Sequence, residues 1–172
     1  MDSWGRRCRP SPRLTMLIIY QWLGICMGVH HVSWQSTASG LEDEYIHAAA
    51  LSWLVGDEDA VEIERMNSFH GSAIHIVSAK LKRRGQATKS LTRLGLNVLQ
   101  QLKLELSSRM DDENVIHIRL DLLELIAGRV VLASPGERRT IKGRAKLEVY
   151  PGQDPFTLGN ETLDVAINGV LN

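Results

Sequence analysis

Sulfur ligands and cross-links are nearly absent from this chain. It has 172 residues and two cysteines, Cys8 and Cys26, both close to its first residue. A disulfide framework or a structural zinc site needs more thiols, or histidines clustered beside them. A chain of this length buries roughly 70% of the surface that it exposes when unfolded, so a hydrophobic core is sufficient to hold it. The sequence therefore predicts one core-stabilised domain in a reducing compartment.

A net charge of one sign is also lacking. Lysine and arginine total 20, aspartate and glutamate total 20, and the formal net charge is zero. This excludes a protein whose entire surface coats nucleic acid, because such binding depends on many phosphate contacts. Phe, Trp and Tyr make up only 5% of the chain, which disfavours recognition by stacking of bases on aromatic side chains. Local basic patches are compatible with both observations.

Catalytic and cofactor-binding motifs are missing as well. The chain contains no GxSxG nucleophile elbow, no GxGxxG or P-loop glycine pattern and no calcium loop. His30 and His31 are adjacent in a predicted strand, where successive side chains point to opposite faces, so they cannot both ligate one ion. The sequence predicts a binding protein with no enzymatic activity, no cofactor and no metal site.

The first residues divide into a basic arm and an apolar run. Residues 1–13 contain two prolines and four arginines, a composition typical of a flexible arm, and residues 14–172 are predicted to form a single α+β domain. The run Leu14–Val29 is interrupted by Gln21 and is short for a bilayer span, which favours a buried first strand. The alternative is a signal peptide, which would make the protein a secreted or membrane-tethered β-rich binding module.

One helix stands out in the first half of the chain. Apolar residues recur at three- and four-residue spacing over residues 41–55, with three acidic residues in the first turn, where the helix dipole favours negative charge. Gly56 provides the expected stop. Before this helix we predict a strand pair or one long bent strand from Leu14 to Trp34, and a linker at residues 36–40. After it we predict a second short helix at residues 57–65.

From Gly71 onward the hydrophobic period changes from helical spacing to two, which is typical of half-buried strands. The predicted strands are residues 73–81, 102–107, 115–123, 140–150 and 163–167, with loops at 85–90 and 151–160. Residues 102–107 and 115–123 would form a hairpin. Residues 88–101 fit a helix as well as a strand, and both readings stay open. The predicted fold is α+β, with a short N-terminal strand and helix followed by a strand-rich antiparallel meander.

Basic patches are the positive functional signal. They lie in the arm, in the run at 80–84 and in the hairpin at 138–146, where alternate basic residues share one face. If these patches converge, the surface attracts phosphate from nucleic acid or anionic lipid; otherwise each is a solvated face. The candidate binding residues are Arg6, Arg7, Arg9, Arg13, Lys80, Lys82, Arg83, Arg84, Arg138, Arg139, Lys142, Arg144 and Lys146.

The order of an apolar strand, Leu17–Val29, and an alanine-rich helix with a tryptophan, Tyr45–Trp53, resembles the matrix proteins of plant-infecting rhabdoviruses. This resemblance implies a non-enzymatic structural protein of the virion. Such a protein self-associates, binds the nucleocapsid as its ribonucleoprotein partner and lies against the anionic inner surface of the envelope. The implied location is the cytoplasm or the membrane periphery.

Overall fold

A computed structural model describes residues 28–134, 136 and 139–171, which form a five-stranded antiparallel sheet and six α-helices. The strands are β1 Val29–Ser39, β2 Val61–Asn67, β3 Ala73–Leu81, β4 Val115–Asp121 and β5 Thr140–Leu147. Their order in the sheet is β2-β3-β1-β5-β4, and every neighbouring pair is antiparallel. The predicted α+β class, with an initial strand and helix and an antiparallel sheet, is confirmed.

The helices are α1 Glu44–Val55, α2 Arg84–Thr92, α3 Leu96–Leu104, α4 Leu106–Arg109, α5 Leu122–Ile126 and α6 Pro155–Leu171, and a short 3-10 helix spans Glu58–Ala60. Helix α1 confirms the helix that was predicted at 41–55. Asp43 caps its start by accepting a hydrogen bond from the main-chain N–H of Tyr45 at 2.9 Å. Gly56 ends it in the left-handed conformation, with φ of 75°, where a side chain would be strained.

The indole of Trp34 anchors the core at the centre of the sheet. Trp34 is fully buried on β1 and pairs with Gly143 of β5. A Cβ atom at Gly143 would lie 2.2 Å from Cζ3 of the indole, so only glycine leaves room for this ring. The indole N–H donates to Oγ of Ser90 at 2.8 Å, and this hydroxyl donates to the carbonyl oxygen of Leu54 at 3.1 Å. One tryptophan thus joins the sheet to α2 and α1.

Three predictions between residues 57 and 107 are wrong. The predicted helix at 57–65 is the 3-10 helix followed by β2, and the predicted loop at 85–90 lies within α2. The predicted strand at 102–107 is the end of α3 and the start of α4. Leu102 and Leu106 are buried four residues apart, whereas Leu104 is 86% exposed, so the apparent alternation was helical spacing. For the open choice at 88–101 the structure has helix, and the hairpin of 102–107 with 115–123 does not form.

The C-terminal prediction is wrong for the same reason. Residues 151–160 were predicted to be a loop and 163–167 a strand, but α6 covers most of both. Its buried residues include Leu158, Thr162 and Ala166, which recur every four residues as on one helix face.

Three strand boundaries also differ from the prediction. Strand β1 continues through the predicted linker at 36–40 as far as Ser39, and β4 ends at Asp121 because that side chain caps α5. Strand β5 ends at Leu147, three residues before the end of the predicted strand at 140–150. The part of the predicted first strand before residue 28, and the predicted arm at 1–13, lie outside the described residues.

Candidate functional site

The two faces of the sheet have different surroundings. Trp34 and Ser36 of β1 point into the helical layer, where they contact Ser90 of α2 and His47 of α1. The alternate residues point to the opposite side, which we call the open face. On the strands it includes His31, Ser33, Gln35, Thr37, Glu62, Glu64, Met66, Ile74, Ile76, Ser78, Lys80, His117, Arg119, Lys142, Arg144 and Lys146.

The strand register brings five cations together on the open face. One row across the sheet contains Lys80, Ser33, Arg144 and His117, in that order. The next row contains Ser78, Gln35, Lys142 and Arg119, and Lys146 follows Arg144 along β5. Neighbouring strands lie about 4.8 Å apart, so Lys80 and Arg144, two strands apart, are separated by roughly 10 Å at their main chains. The basic residues of three strands therefore form one surface.

His31 experiences the combined field of this surface. Burial lowers the pKa of its imidazole, and the positive charges of His30, Lys80, Lys146 and Arg144 lower that pKa further. Three of these charges come from β3 and β5, on either side of His31. Their common effect on one ring indicates a region of positive potential.

The five cations of the open face have no acidic partner among the described residues. Many basic side chains elsewhere are neutralised by carboxylates, in the ion pairs Arg65–Glu44, Arg84–Glu148, Lys103–Asp164, Arg109–Glu105, Arg129–Glu124 and Arg139–Glu42. Lys82, Arg83 and Lys89 are also without a described carboxylate partner, but they do not lie in the rows of the open face. Within the described residues, no carboxylate lies within ion-pair distance of Lys80, Arg119, Lys142 or Arg144, and Lys146 donates to the main-chain oxygen of Glu113. Their charge remains available to a ligand.

The structure brings together some of the predicted binding residues and separates others. Lys80, Lys142, Arg144 and Lys146 share the open face, while Lys82 and Arg83 are exposed between β3 and α2. Arg84 and Arg139 are instead held in the ion pairs with Glu148 and Glu42. The remaining predicted residues, Arg6, Arg7, Arg9, Arg13 and Arg138, lie outside the described residues.

Arg119 belongs to this surface but is not among the predicted binding residues. It is exposed on β4 and pairs with Lys142 of β5. The alternation in residues 115–121 places Arg119 on the polar side of a strand, but the pairing of β4 with β5 cannot be read from that alternation. Its place beside Lys142 becomes visible only in the sheet.

The composition of the open face limits what it can do. Its boundary on β2 is acidic, with Glu62 and Glu64 exposed. On the β4 side, Asp121 follows Arg119 on the same face, and the imidazole of His117 lies 2.7 Å from the carboxylate of Asp111. The five strands carry no Phe, Tyr or Trp on this face, and its rings are the imidazoles of His31 and His117. In the part of the chain that the structure covers, no group of three His, Cys, Asp or Glu side chains is arranged to hold a metal ion. The helices of that same part are too short or too polar to cross a bilayer.

The fold and this surface define an α+β protein with an open, basic antiparallel sheet. A family model described as RNA binding matches residues 32–147 of the chain. This stretch runs from β1 to the last residue of β5 and covers more than half of the sequence. The chain therefore belongs to this RNA-binding family.

Several solved structures of archaeal proteins have the same fold. Protein AF2318 from Archaeglobus fulgidus, a DUF54 protein, is 21% identical with a TM-score of 0.66, over 78% of this chain and 99% of the other. Mth689 from Methanothermobacter thermautotrophicus is 22% identical with a TM-score of 0.56, over 84% and 96%. SSO0741 from Sulfolobus solfataricus is 17% identical with a TM-score of 0.59, over 81% and 98%. No curated protein matches the chain.

The family match corrects the resemblance to rhabdovirus matrix proteins, which is wrong. Residues 45–53 lie inside the matched region and belong to α1. His47, Ala50, Leu51 and Leu54 of this helix are buried, so the motif is the packing face of a helix on a sheet. The matrix function, the virion and membrane assignments and the alternative of a secreted module are wrong as well, because the match is to an RNA-binding family.

Proposed function

We propose that this protein binds RNA through phosphate contacts on the open face of its sheet. The observation that carries the proposal is the convergence of five cations without carboxylate partners, Lys80, Arg119, Lys142, Arg144 and Lys146, in a chain of an RNA-binding family. RNA thus replaces the viral ribonucleoprotein as the expected partner.

The physical basis is counterion release. A side chain that neutralises a phosphate displaces the ions condensed on the nucleic acid, and this supplies much of the binding free energy. A lysine already paired with a carboxylate has to lose that contact first, whereas Lys142 and Arg144 do not. The net charge of zero is no obstacle, because the acidic residues include the partners of Arg65, Arg84 and Arg139, away from the open face. We therefore expect binding without catalysis.

The test compares two double variants that remove the same charges from different surfaces. Lys142→Gln with Arg144→Gln removes one lysine and one arginine from the open face. Lys89→Gln with Arg129→Gln removes the same charges from α2 and from the turn after α5. Binding of a fluorescent RNA is measured by anisotropy, and circular dichroism checks the fold. The open-face variant should bind about tenfold more weakly or worse, because two phosphate contacts are lost, while the control stays within about twofold of the unmodified protein.

Two results would contradict the proposal. One is an unmodified protein that fails to bind RNA even at low salt. The other is an equal loss of affinity in both double variants, which would mean that only the total charge matters and not the open face.

A further inference from the structure

Uncharged side chains that can form hydrogen bonds lie in a row between the cations of the open face. Strand β1 lies at the centre of the sheet and carries Ser33 and Gln35 on this face. Ser33 lies between Lys80 of β3 and Arg144 of β5, and Gln35 lies between Ser78 and Lys142. A backbone whose phosphates contact the flanking strands would thus place its sugars over β1.

These polar side chains have no hydrogen-bond partner among the described residues. The amide of Gln35 and the hydroxyls of Ser33 and Ser78 make no hydrogen bond to any described residue. The amide of glutamine contains both donors and an acceptor, and a serine hydroxyl is also both. The RNA 2′-hydroxyl has the same dual character, and it is the group by which a protein distinguishes RNA from DNA. Gln35 and Ser33 are therefore suited to this group.

The strands of the open face have no aromatic side chains on which the unpaired bases of single-stranded RNA could stack. Proteins that bind single strands stack unpaired bases on aromatic side chains. Among the described residues, the exposed Tyr45 and Trp53 lie on α1 and Phe156 lies on α6, in the helical layer. Phe69 lies in the β2–β3 turn and Tyr150 in the loop after β5, so none of them lies on a strand of the open face. Duplex RNA, in contrast, is recognised by its shape through contacts to phosphates and 2′-hydroxyls, and these are the contacts that the open face offers.

We infer, on the basis of the proposed function, that the ligand of the open face is double-stranded RNA. Lys80, Lys142 and Arg144 hold phosphates, and Ser33 and Gln35 of β1 hydrogen-bond to 2′-hydroxyls between them. The surface reads the A-form backbone and not the base sequence. It therefore selects RNA duplexes over DNA duplexes and over single strands.

The experiment measures anisotropy with three probes of one sequence at one salt concentration: a 20-base-pair RNA duplex, the corresponding single RNA strand and the DNA duplex. We expect the RNA duplex to bind about tenfold more tightly than the other two, which corresponds to a small number of extra hydrogen bonds. Ser33→Ala with Gln35→Ala should lower RNA-duplex affinity by about fivefold or more and leave DNA-duplex affinity unchanged. Gln100→Ala, an exposed glutamine of α3, is the matched control and should alter neither.

Some results would overturn this inference and leave the proposed function standing. One is equal or tighter binding of the single strand, provided that Lys142→Gln with Arg144→Gln still weakens it. Another is an equal loss of RNA-duplex and DNA-duplex affinity when Ser33 and Gln35 are replaced, since these residues would then not contact the 2′-hydroxyl. Failure to bind any of the RNA probes would overturn both proposals.

Discussion

The number of cations that RNA engages on the open face determines how steeply binding weakens with salt. Each neutralised phosphate contributes about −0.9 to the slope of log K against log salt for a duplex and about −0.7 for a single strand. With the five cations of the open face engaged, the expected slope is about −3.5 to −4.5. Between 50 and 200 mM salt the affinity should then fall by about 100- to 500-fold.

Removal of individual charges should change this slope in steps. The double variant of Lys142 and Arg144 should have a slope shallower by about 1.4 to 1.8, because two contacts are lost. The control variant of Lys89 and Arg129 should keep the slope of the unmodified protein. The assay is a series of anisotropy titrations at four or more salt concentrations, with each slope fitted separately.

A slope close to zero for the unmodified protein would mean that the cations do not contact phosphate. An equal change of slope in both double variants would mean that the open face has no special part in binding. A slope much steeper than that expected from five contacts would mean that cations outside the open face take part, and the assignment of binding to this face would be wrong.

Two further predictions concern the sheet beneath this surface. Gly143→Ala should lower the free energy of unfolding in urea by about 1–3 kcal/mol, because its Cβ would overlap the indole of Trp34. Gly85→Ala, with open space around it, should not lower this free energy. Equal stabilities of the two variants would contradict the packing of Trp34 against Gly143. Arg144→Gln should raise the pKa of His31. Burial is the largest cause that lowers this pKa, and the positive charge of Arg144 lowers it further. An NMR titration of the imidazole measures the pKa of His31 in both proteins. An unchanged pKa would mean that the charge of Arg144 does not act on His31.

The elements that could be predicted are those whose local pattern agrees with their long-range packing. Residues 41–55 have helical spacing and an acidic first turn, and α1 forms there. The alternation over 73–81 and 140–147 reflects one face buried under helices and one exposed. In residues 163–167 the alternation of aliphatic residues predicts a strand, but the preceding Leu158 and Thr162 complete a helical face. Such short apolar patterns fit both structures until tertiary packing decides.

The candidate site was only partly predictable for a related reason. Alternation along β5 predicted that Lys142, Arg144 and Lys146 share a face, and they do. Their proximity to Lys80 depends on β1 lying between β3 and β5, and sequence spacing contains no information about strand order. The ion pairs of Arg84 and Arg139, which neutralise these two charges, likewise join parts of the chain that are distant in sequence.

The central position of β1 has a consequence for how the protein is made. Strand β1 can pair with β3 soon after residue 81 has been synthesised, but its other edge waits for β5, at residues 140–147. Pairing of strands that are distant in sequence loses loop-closure entropy before any contacts form, and such pairings are therefore slow. Since Lys142, Arg144 and Lys146 arrive with that last strand, a nascent chain has no complete basic surface until the sheet has closed.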